Sequence, residues 1–323
     1  MKKVSVIIPT YNRCKNLKEL VDSISACDYK DLEVVVVDNG STDNTRGIMT
    51  ELIQREKPGL HIKYLRLNCN LNASGGRYLG SKYATGDFLL FIDDDNIVLS
   101  DMITKLVLFS QQHDDAGLIA PCSLLGDNCE YVQNLGVWID TVTSRCIFRK
   151  PSPIKISEID NNLKYETLSA LNSFMVTREA YQRSGGWDPN IGIMFDEPDL
   201  AMRIKIAGYK AFFVPDARCI HLGAKFIGEQ DELRALGMGT PIRAYYFARN
   251  RSLFMRRYAK WYGKLLYFGF FFHCFLWYYL IKALKYRRFD IAKKYLYGSV
   301  RGIYCPKEIE DIINAQQLEI EEM

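Results

Sequence analysis

The stretch Phe88-Leu89-Leu90-Phe91-Ile92-Asp93-Asp94-Asp95-Asn96 decides how this chain is read. Five apolar residues end abruptly in three consecutive carboxylates. The apolar part reads as a strand buried on both faces, as in a parallel sheet covered by helices. Three adjacent anions are not buried without a positive partner or water. Open α/β sheets bind ligands at the C-terminal ends of their parallel strands. In extended backbone alternate residues point the same way, so Asp93 and Asp95 are expected to converge while Asp94 turns aside. Hard oxygen ligands of this kind suit Mg²⁺ or Mn²⁺, shared with substrate phosphates. The competing reading is a solvated acidic turn capping a helix that begins near Ser100.

Outward from this run, a rhythm of strands and helices appears. Lys3 to Ile8, Leu32 to Val37 and Ile62 to Leu67 are β-branched or apolar runs. Between them, Leu17, Leu20, Val21 and Ile24, then Ile48, Leu52 and Ile53, then Ala73 to Tyr83, fall at helical spacing. Strand–helix alternation over the first 95 residues predicts a doubly wound, mostly parallel α/β sheet. The middle is less regular. Leu118 to Ala120, Cys146 to Phe148, Leu168 to Thr177 and Ala211 to Val214 are strand candidates, the last closed by Pro215. Helices are expected at Arg178 to Ser184 and Asp196 to Ala207, and a loop over Lys150 to Asn162. The expected division is a catalytic unit at 1–240, with a donor half at 1–100 and an acceptor half at 101–240. A helical, aromatic-rich extension at 241–323 follows.

Composition narrows the classes. The chain has 323 residues, is 48% hydrophobic, and carries a net charge of only +4, which gives no argument for nucleic acid as a partner. Nine cysteines without a C-x-x-C pair predict reduced thiols and a cytoplasmic setting. The N-terminus runs directly into a strand and lacks the apolar core of a signal peptide.

The first strand ends in Pro9-Thr10-Tyr11-Asn12-Arg13, with no G-x-G-x-x-G, which argues against a nicotinamide dehydrogenase. Pro9, Thr10, Tyr11 and Arg13 read as a rim for a nucleotide, or as a plain polar turn. Asp38 ends the second strand and is placed to accept hydrogen bonds from a base or ribose. Asp43 reads as a helix cap. Gly75-Gly76-Arg77 opens a helix, which suits a diphosphate, or simply close helix–sheet packing. Asp196-Glu197-Pro198-Asp199 places three carboxylates at a helix start. The helix dipole accounts for one or two of them. A hydroxyl acceptor attacking a sugar carbon needs a carboxylate within hydrogen-bond reach, and Asp196 or Glu197 fits. Trp187, beside Asp188 on a glycine turn, reads as a platform for a sugar ring or as a core aromatic. His221 is either structural or a third metal ligand.

Together these motifs resemble family-two, inverting glycosyltransferases of A-type fold, over about residues 1 to 225. Val4 to Arg13 is similar to that family's opening strand, Val36 to Asp43 to its nucleotide-base turn, and Asp93-Asp94-Asp95 to its metal-binding D-x-D. Gly185-Gly186-Trp187-Asp188 stands where it has an acceptor or donor loop, Asp196-Glu197-Pro198-Asp199 where it has the base, and His221 where many members have a metal-contacting histidine. The tail resembles that of rhamnosyltransferase-like members. The resemblance implies a metal site of Asp93, Asp95 and His221 holding Mg²⁺ or Mn²⁺. It also implies a UDP- or dTDP-sugar donor contacting Asp38, Gly75, Gly76, Arg77, Asp93 and Asp94, with Asp94 facing donor sugar or ribose. Transfer would go to a hydroxyl of a glycan or lipid-linked acceptor with inversion, in surface polysaccharide or glycoconjugate synthesis. The rival is a non-catalytic sugar-nucleotide-binding assembly protein of the same fold.

Leu265 to Ile281 is dense in aromatics and flanked by Arg256, Arg257, Lys260 and Lys264, and by Lys282, Lys285, Arg287 and Arg288. Three readings stand: an in-plane helix at a membrane surface, a short span, or a homo-oligomer interface. The first places the protein at the cytoplasmic face of a membrane, in peripheral contact through 256–288.

Overall fold

In a computed structural model, the structure describes residues 2–55, 58–126, 128–150, 152–161, 163–223, 232–304, 313 and 318–323. The first part alternates as β1 (Val4–Thr10), α1 (Cys14–Ser25), β2 (Leu32–Asp38), α2 (Thr45–Gln54), β3 (Leu60–Leu67), α3 (Asn72–Tyr83) and β4 (Phe88–Ile92). Then come β5 (Asn96–Val98), α4 (Met102–Gln112), β6 (Ala116–Leu125), and the short strands β7 (Tyr131–Val132), β8 (Val137–Ile139), β9 (Cys146–Phe148), β10 (Ile154–Lys155) and β11 (Tyr165–Thr167). β12 (Ser173–Thr177), α5 (Arg178–Arg183), α6 (Asp196–Ile206) and β13 (Lys210–His221) follow. The tail holds α7 (Glu232–Ala235), α8 (Pro241–Tyr258), α9 (Trp261–Leu266), a π-helical turn at Tyr267–Phe271, α10 (Phe272–Lys285), α11 (Phe289–Tyr304) and β14 (Ile320–Glu322).

β3, β2, β1 and β4 pair in parallel, as their apolar runs predict. β12 lies antiparallel between β4 and β6, and β13 runs parallel to β6. Alternation sorts the strand residues to two cores. Val4, Val6, Ile8, Val34, Val36, Leu90 and Ile92 face α1, α2 and α4. Ile7, Val35, Val37, Leu89 and Phe91 face α3, α5 and α6. A sheet covered on both faces leaves its strand ends as the place where polar side chains collect.

Three expectations are corrected. The strand expected to stop at Pro215 continues to His221. A register shift between Val214 and Arg218 puts Pro215 in an irregularity of the ladder, where a missing N–H is tolerated. The strand expected from Leu168 begins only at Ser173, after Asn172 in left-handed backbone (φ 66°). The segment expected as a loop over Lys150 to Asn162 contains β10 and a 3₁₀ turn at Ile156–Glu158; Pro151 and Asn162 lie outside the described residues. The line drawn at residue 240 separates elements that touch. β14 pairs with β3 at the sheet edge, and α8 holds the loop before α6 through Asn250.

Candidate active site

β4 ends at Ile92, and Asp93-Asp94-Asp95 form a turn rather than an extension of the strand. In a turn the alternation that would aim Asp93 and Asp95 together no longer applies. The three carboxylates take different partners, although the charges of Asp95 and His221 still reach Asp93. Asp93 pairs with Arg77 of α3. Asp94 accepts from Thr10 Oγ1 at 2.7 Å and from Arg13 at 3.1 Å. Asp95 takes Arg13 at 2.8 Å and faces His221 Nε2 at 3.4 Å. It is Asp94 and Asp95 that share a partner, the half-exposed Arg13.

Long-range pairing, invisible in the motif itself, brings His221 to the triplet. β5 follows the turn directly and runs antiparallel to β13, with Asn96 opposite His221. The imidazole Nδ1 lies 3.2 Å from both Gln133 Oε1 and Asn172 Nδ2. A proton on Nδ1 donates to Gln133 and would leave Nε2 free for a metal ion, whereas a proton on Nε2 faces Asp95 and lowers its carboxyl. Asp95 Oδ1 is buried and has no hydrogen bond among the described residues. A Cβ on Gly223 would come within 2.8 Å of Asp95 Oδ2 and 3.2 Å of His221 Nε2, so glycine keeps this space open. An orphaned carboxylate oxygen facing an imidazole nitrogen fits a divalent cation. No three acidic, histidine or cysteine side chains are already gathered as a ligand set among the described residues, and Asp93 is turned to Arg77.

Electrostatics separates the three aspartates. Burial raises the Asp94 carboxyl to about 6, against the pull of Arg13 and Thr10. Burial also raises Asp95, but His221 and Arg13 outweigh it and hold the group at about 2. Asp93 is raised, mainly by burial and partly by Asp95, despite Arg77.

The second acidic group sits about a hundred residues later, at the start of α6. Met194 and Phe195, just before the helix, are both in left-handed backbone, at φ 64° and 63°. Such strain persists only where the surroundings fix it. Asn250 of α8 supplies the fixing: its Nδ2 donates to the carbonyls of Ile191, Ile193 and Met194 at 2.7–2.8 Å. Arg249 donates to Asn190 O at 2.8 Å and to Asn250 Oδ1 at 2.8 Å. Arg257 pairs with Asp188 at 2.5 Å and Asp199 at 2.8 Å. The motif reading missed these α8 residues. Their one sequence signal was a polar Arg249-Asn250-Arg251 run inside an aromatic helix.

Arg77 joins the two acidic groups. Its buried guanidinium reaches Asp93 on one side, Asp196 at 2.6 Å and Glu197 at 3.6 Å on the other. It also lies over the Trp187 ring, 5.0 Å from the centroid. Burial and then the charge of Asp196 push Glu197 well above the usual carboxylate range.

Several expected contacts have other partners here. Arg77 is spent on carboxylates rather than presented to solvent for a diphosphate. Trp187 is a core aromatic, 2% exposed and packed edge-on against Phe91, so its rings offer no open face to a sugar. Asp188 is taken by Arg257. Asp38 is fully buried, accepting from Ser41 N at 2.8 Å and Tyr64 Oη at 2.5 Å. Gly76 serves close packing, since a Cβ there would lie 2.9 Å from Pro9 Cβ, and Gly75 is buried beside it in α3. Pro9 is buried under this contact, while Tyr11 stands exposed at the rim. Asp43, expected as a helix cap, lies one residue before the N-cap Asn44 of α2 and accepts from Thr45 N at 3.1 Å and Cys14 N at 3.0 Å.

A large α/β sheet with a parallel β3-β2-β1-β4 core, covered by helices on both faces, is the fold of A-type glycosyltransferases. Solved structures share that fold. The mannosyltransferase PcManGT from Pyrobaculum calidifontis, in complex with GDP-Man and Mn²⁺, aligns with TM-score 0.57 over 98% of this chain and 88% of its own, at 18% identity. GalNAc-T7 with UDP, GalNAc and Mn²⁺ aligns with TM-score 0.61 over 83% of this chain and 50% of its own, at 17% identity. The chain belongs to glycosyl transferase family 2, whose model matches residues 5–174. A GalNAc(5)-diNAcBac-PP-undecaprenol beta-1,3-glucosyltransferase of Campylobacter jejuni is 38% identical over 108 residues, 33% of this chain and 34% of its own length. The poly(ribitol-phosphate) beta-N-acetylglucosaminyltransferase TarS of Staphylococcus aureus is 27% identical over 243 residues, 72% of this chain and 39% of its own. The matched part of this chain thus spans about a third to two fifths of these curated relatives' length.

Proposed function

We propose that this protein transfers a sugar from a nucleotide-diphosphate sugar to a hydroxyl of a glycan or lipid-linked acceptor, with inversion. The observation that carries this reading is the placement of two acidic groups of opposite character on either side of Arg77. Asp95 is held ionised beside His221, and Glu197 is held with raised proton affinity. The relatives' names support the substrate class, since one names an undecaprenol-linked substrate and another a polymer. UDP or dTDP is the proposed carrier, read by the rim at Thr10 to Arg13. Surface polysaccharide or glycoconjugate synthesis, at the cytoplasmic face of a membrane, is the proposed setting.

Asp95 and His221 would hold Mg²⁺ or Mn²⁺, which neutralises charge on the leaving diphosphate when bound. Arg13, half-exposed, moves from Asp94 and Asp95 to the phosphates as the donor enters. Glu197 takes the acceptor hydroxyl's proton: its side chain is less buried than that of Asp196, and its raised proton affinity suits a base. Asp196 keeps Arg77 in place. Attack opposite the leaving group inverts the anomeric carbon, as in inverting glycosidases.

The test is release of nucleotide diphosphate from a panel of sugar nucleotides, with Mn²⁺ and with EDTA. Release that needs metal, and falls roughly 10²–10⁴-fold in Glu197→Gln, is expected. The active form of Glu197 is deprotonated, so turnover rises with pH through a value above the ordinary carboxylate range. Asp196→Asn removes a charge that raises Glu197 and moves this limb to lower pH. Nucleotide and metal binding without turnover would instead establish the assembly-protein reading.

A further inference from the structure

The helices after α8 leave a surface that the candidate site does not use. From Trp261 to Lys285 the chain is long and apolar enough to cross a membrane by length and composition, yet little of its most apolar part is buried. Phe270, Trp277, Ile281 and Leu284 stand exposed at helical spacing, with Cys274 between. Trp261 and Leu265 continue the exposed apolar surface at the other end. On α11, packed beside α10, Phe289, Leu296, Val300 and Ile303 form a second exposed stripe at the same spacing. Scattered surface apolar residues are ordinary, whereas two apolar stripes on neighbouring helices are not.

Charge defines what covers them. Between Arg256 and Tyr304 the sequence has eleven lysines and arginines and a single acid, Asp290. Lys260 and Lys264 lie at one end of the apolar stretch, and Lys285 and Arg287 at the other, all exposed. Lys293 and Lys294 are exposed on α11. Aromatic and aliphatic side chains ringed by cations match the interface of an anionic bilayer. A second copy of this chain fits poorly, since a two-fold contact would bring one basic rim against another.

The opposite side of the same helix decides its orientation. Tyr279 and Ala283 are buried in a core with Ile291, Ala292 and Tyr295 of α11, and Tyr267 in one with Met255 and Ala259. Lys282 and Tyr286 both bond Glu232 of α7. A helix held along its length by the protein cannot cross a bilayer on its own without tearing these contacts.

We propose that α9, the π-turn, α10 and α11 form a docking face for an anionic phospholipid surface, with α10 lying in the membrane plane. The inference rests on the reading of a membrane-side transferase, and it specifies which lipids and which face. Its test reads partition rather than transfer, so either reading can fail alone.

Full-length protein is mixed with phosphatidylcholine vesicles, with and without phosphatidylglycerol, and floated on a density gradient. Wild type is expected to float only with the anionic vesicles and to be released by salt. Trp277→Glu/Ile281→Glu should abolish flotation. Lys285→Glu/Arg287→Glu should reduce partition roughly tenfold or more. Both pairs are exposed, and unchanged circular dichroism and sugar-nucleotide hydrolysis confirm that they fold. Failure of wild type to float with anionic vesicles overturns the proposal. So does a wild-type dimer in sedimentation equilibrium that becomes monomeric in Trp277→Glu/Ile281→Glu.

Discussion

Two acidic runs, Asp93-Asp94-Asp95 and Asp196-Glu197-Pro198-Asp199, lie on either side of Arg77, and arginines answer both. The arginines differ. Arg13 reaches Asp94 and Asp95 from a half-exposed position at the rim. The second run is held from beneath, by buried Arg77 on Asp196 and by Arg203 and Arg257 on Asp199. A half-exposed guanidinium leaves these buried carboxylates when another cation takes its place, so the first run is suited to exchange it for a metal ion. The second run is anchored by the buried Arg77 and stays where it is, while Arg203 and Arg257 add partly exposed partners. One half of the site is built to receive charge, the other to keep a carboxylate in register.

The sharpest way to break this contrast is Arg77→Ala, which strands Asp93, Asp196 and Glu197 in the interior. Urea unfolding should show a loss of about 3–5 kcal/mol. A loss no larger than that of a surface pair would mean that the two runs are held alike. Asn250→Leu should come next. It removes the donor to three carbonyls while keeping the volume, at a cost of about 1–3 kcal/mol. Because the loop leads into Asp196 and Glu197, kcat should fall while the donor KM holds, measured by nucleotide diphosphate release. Equal changes in both would place Asn250 in donor binding instead. The smallest effect belongs to Arg13→Ala, about 1 kcal/mol of stability, since the guanidinium is half-exposed although its carboxylates are buried. Manganese titration followed by electron spin resonance should show Mn²⁺ binding as tightly as in wild type or more so, since a competing cation is gone. Weaker binding would show that Arg13 builds the site rather than guarding it.

The contrast also separates what was legible in advance from what was not. The triplet, the acidic helix start and His221 were legible as candidates beside capping and structural readings, and the resemblance to the family chose between them. Their partners were not. Arg77 reads as a phosphate ligand in sequence, because a glycine pair and an arginine at a helix start suit an anion. In the fold, the nearest anions are three carboxylates of its own chain. Trp187 and Asp188 look like a sugar platform on a glycine turn, but Phe91 and Arg257 claim them. Asn250 shows in sequence only as part of the polar Arg249-Asn250-Arg251 run, since its work is done on carbonyls nearly sixty residues earlier.

By itself, the sequence determined the parallel β1–β4 core and its two covered faces, because alternating β-branched runs between amphipathic helices bury their side chains in no other way. It also determined which residue types meet at the strand ends. Only the tertiary structure decided their roles. Asp93, Asp94 and Asp95 take different partners because the strand gives way to a turn, and His221 arrives because β5 and β13 pair across more than a hundred residues. Charge partners in a folded chain are chosen by proximity and desolvation, and neither quantity is local in sequence.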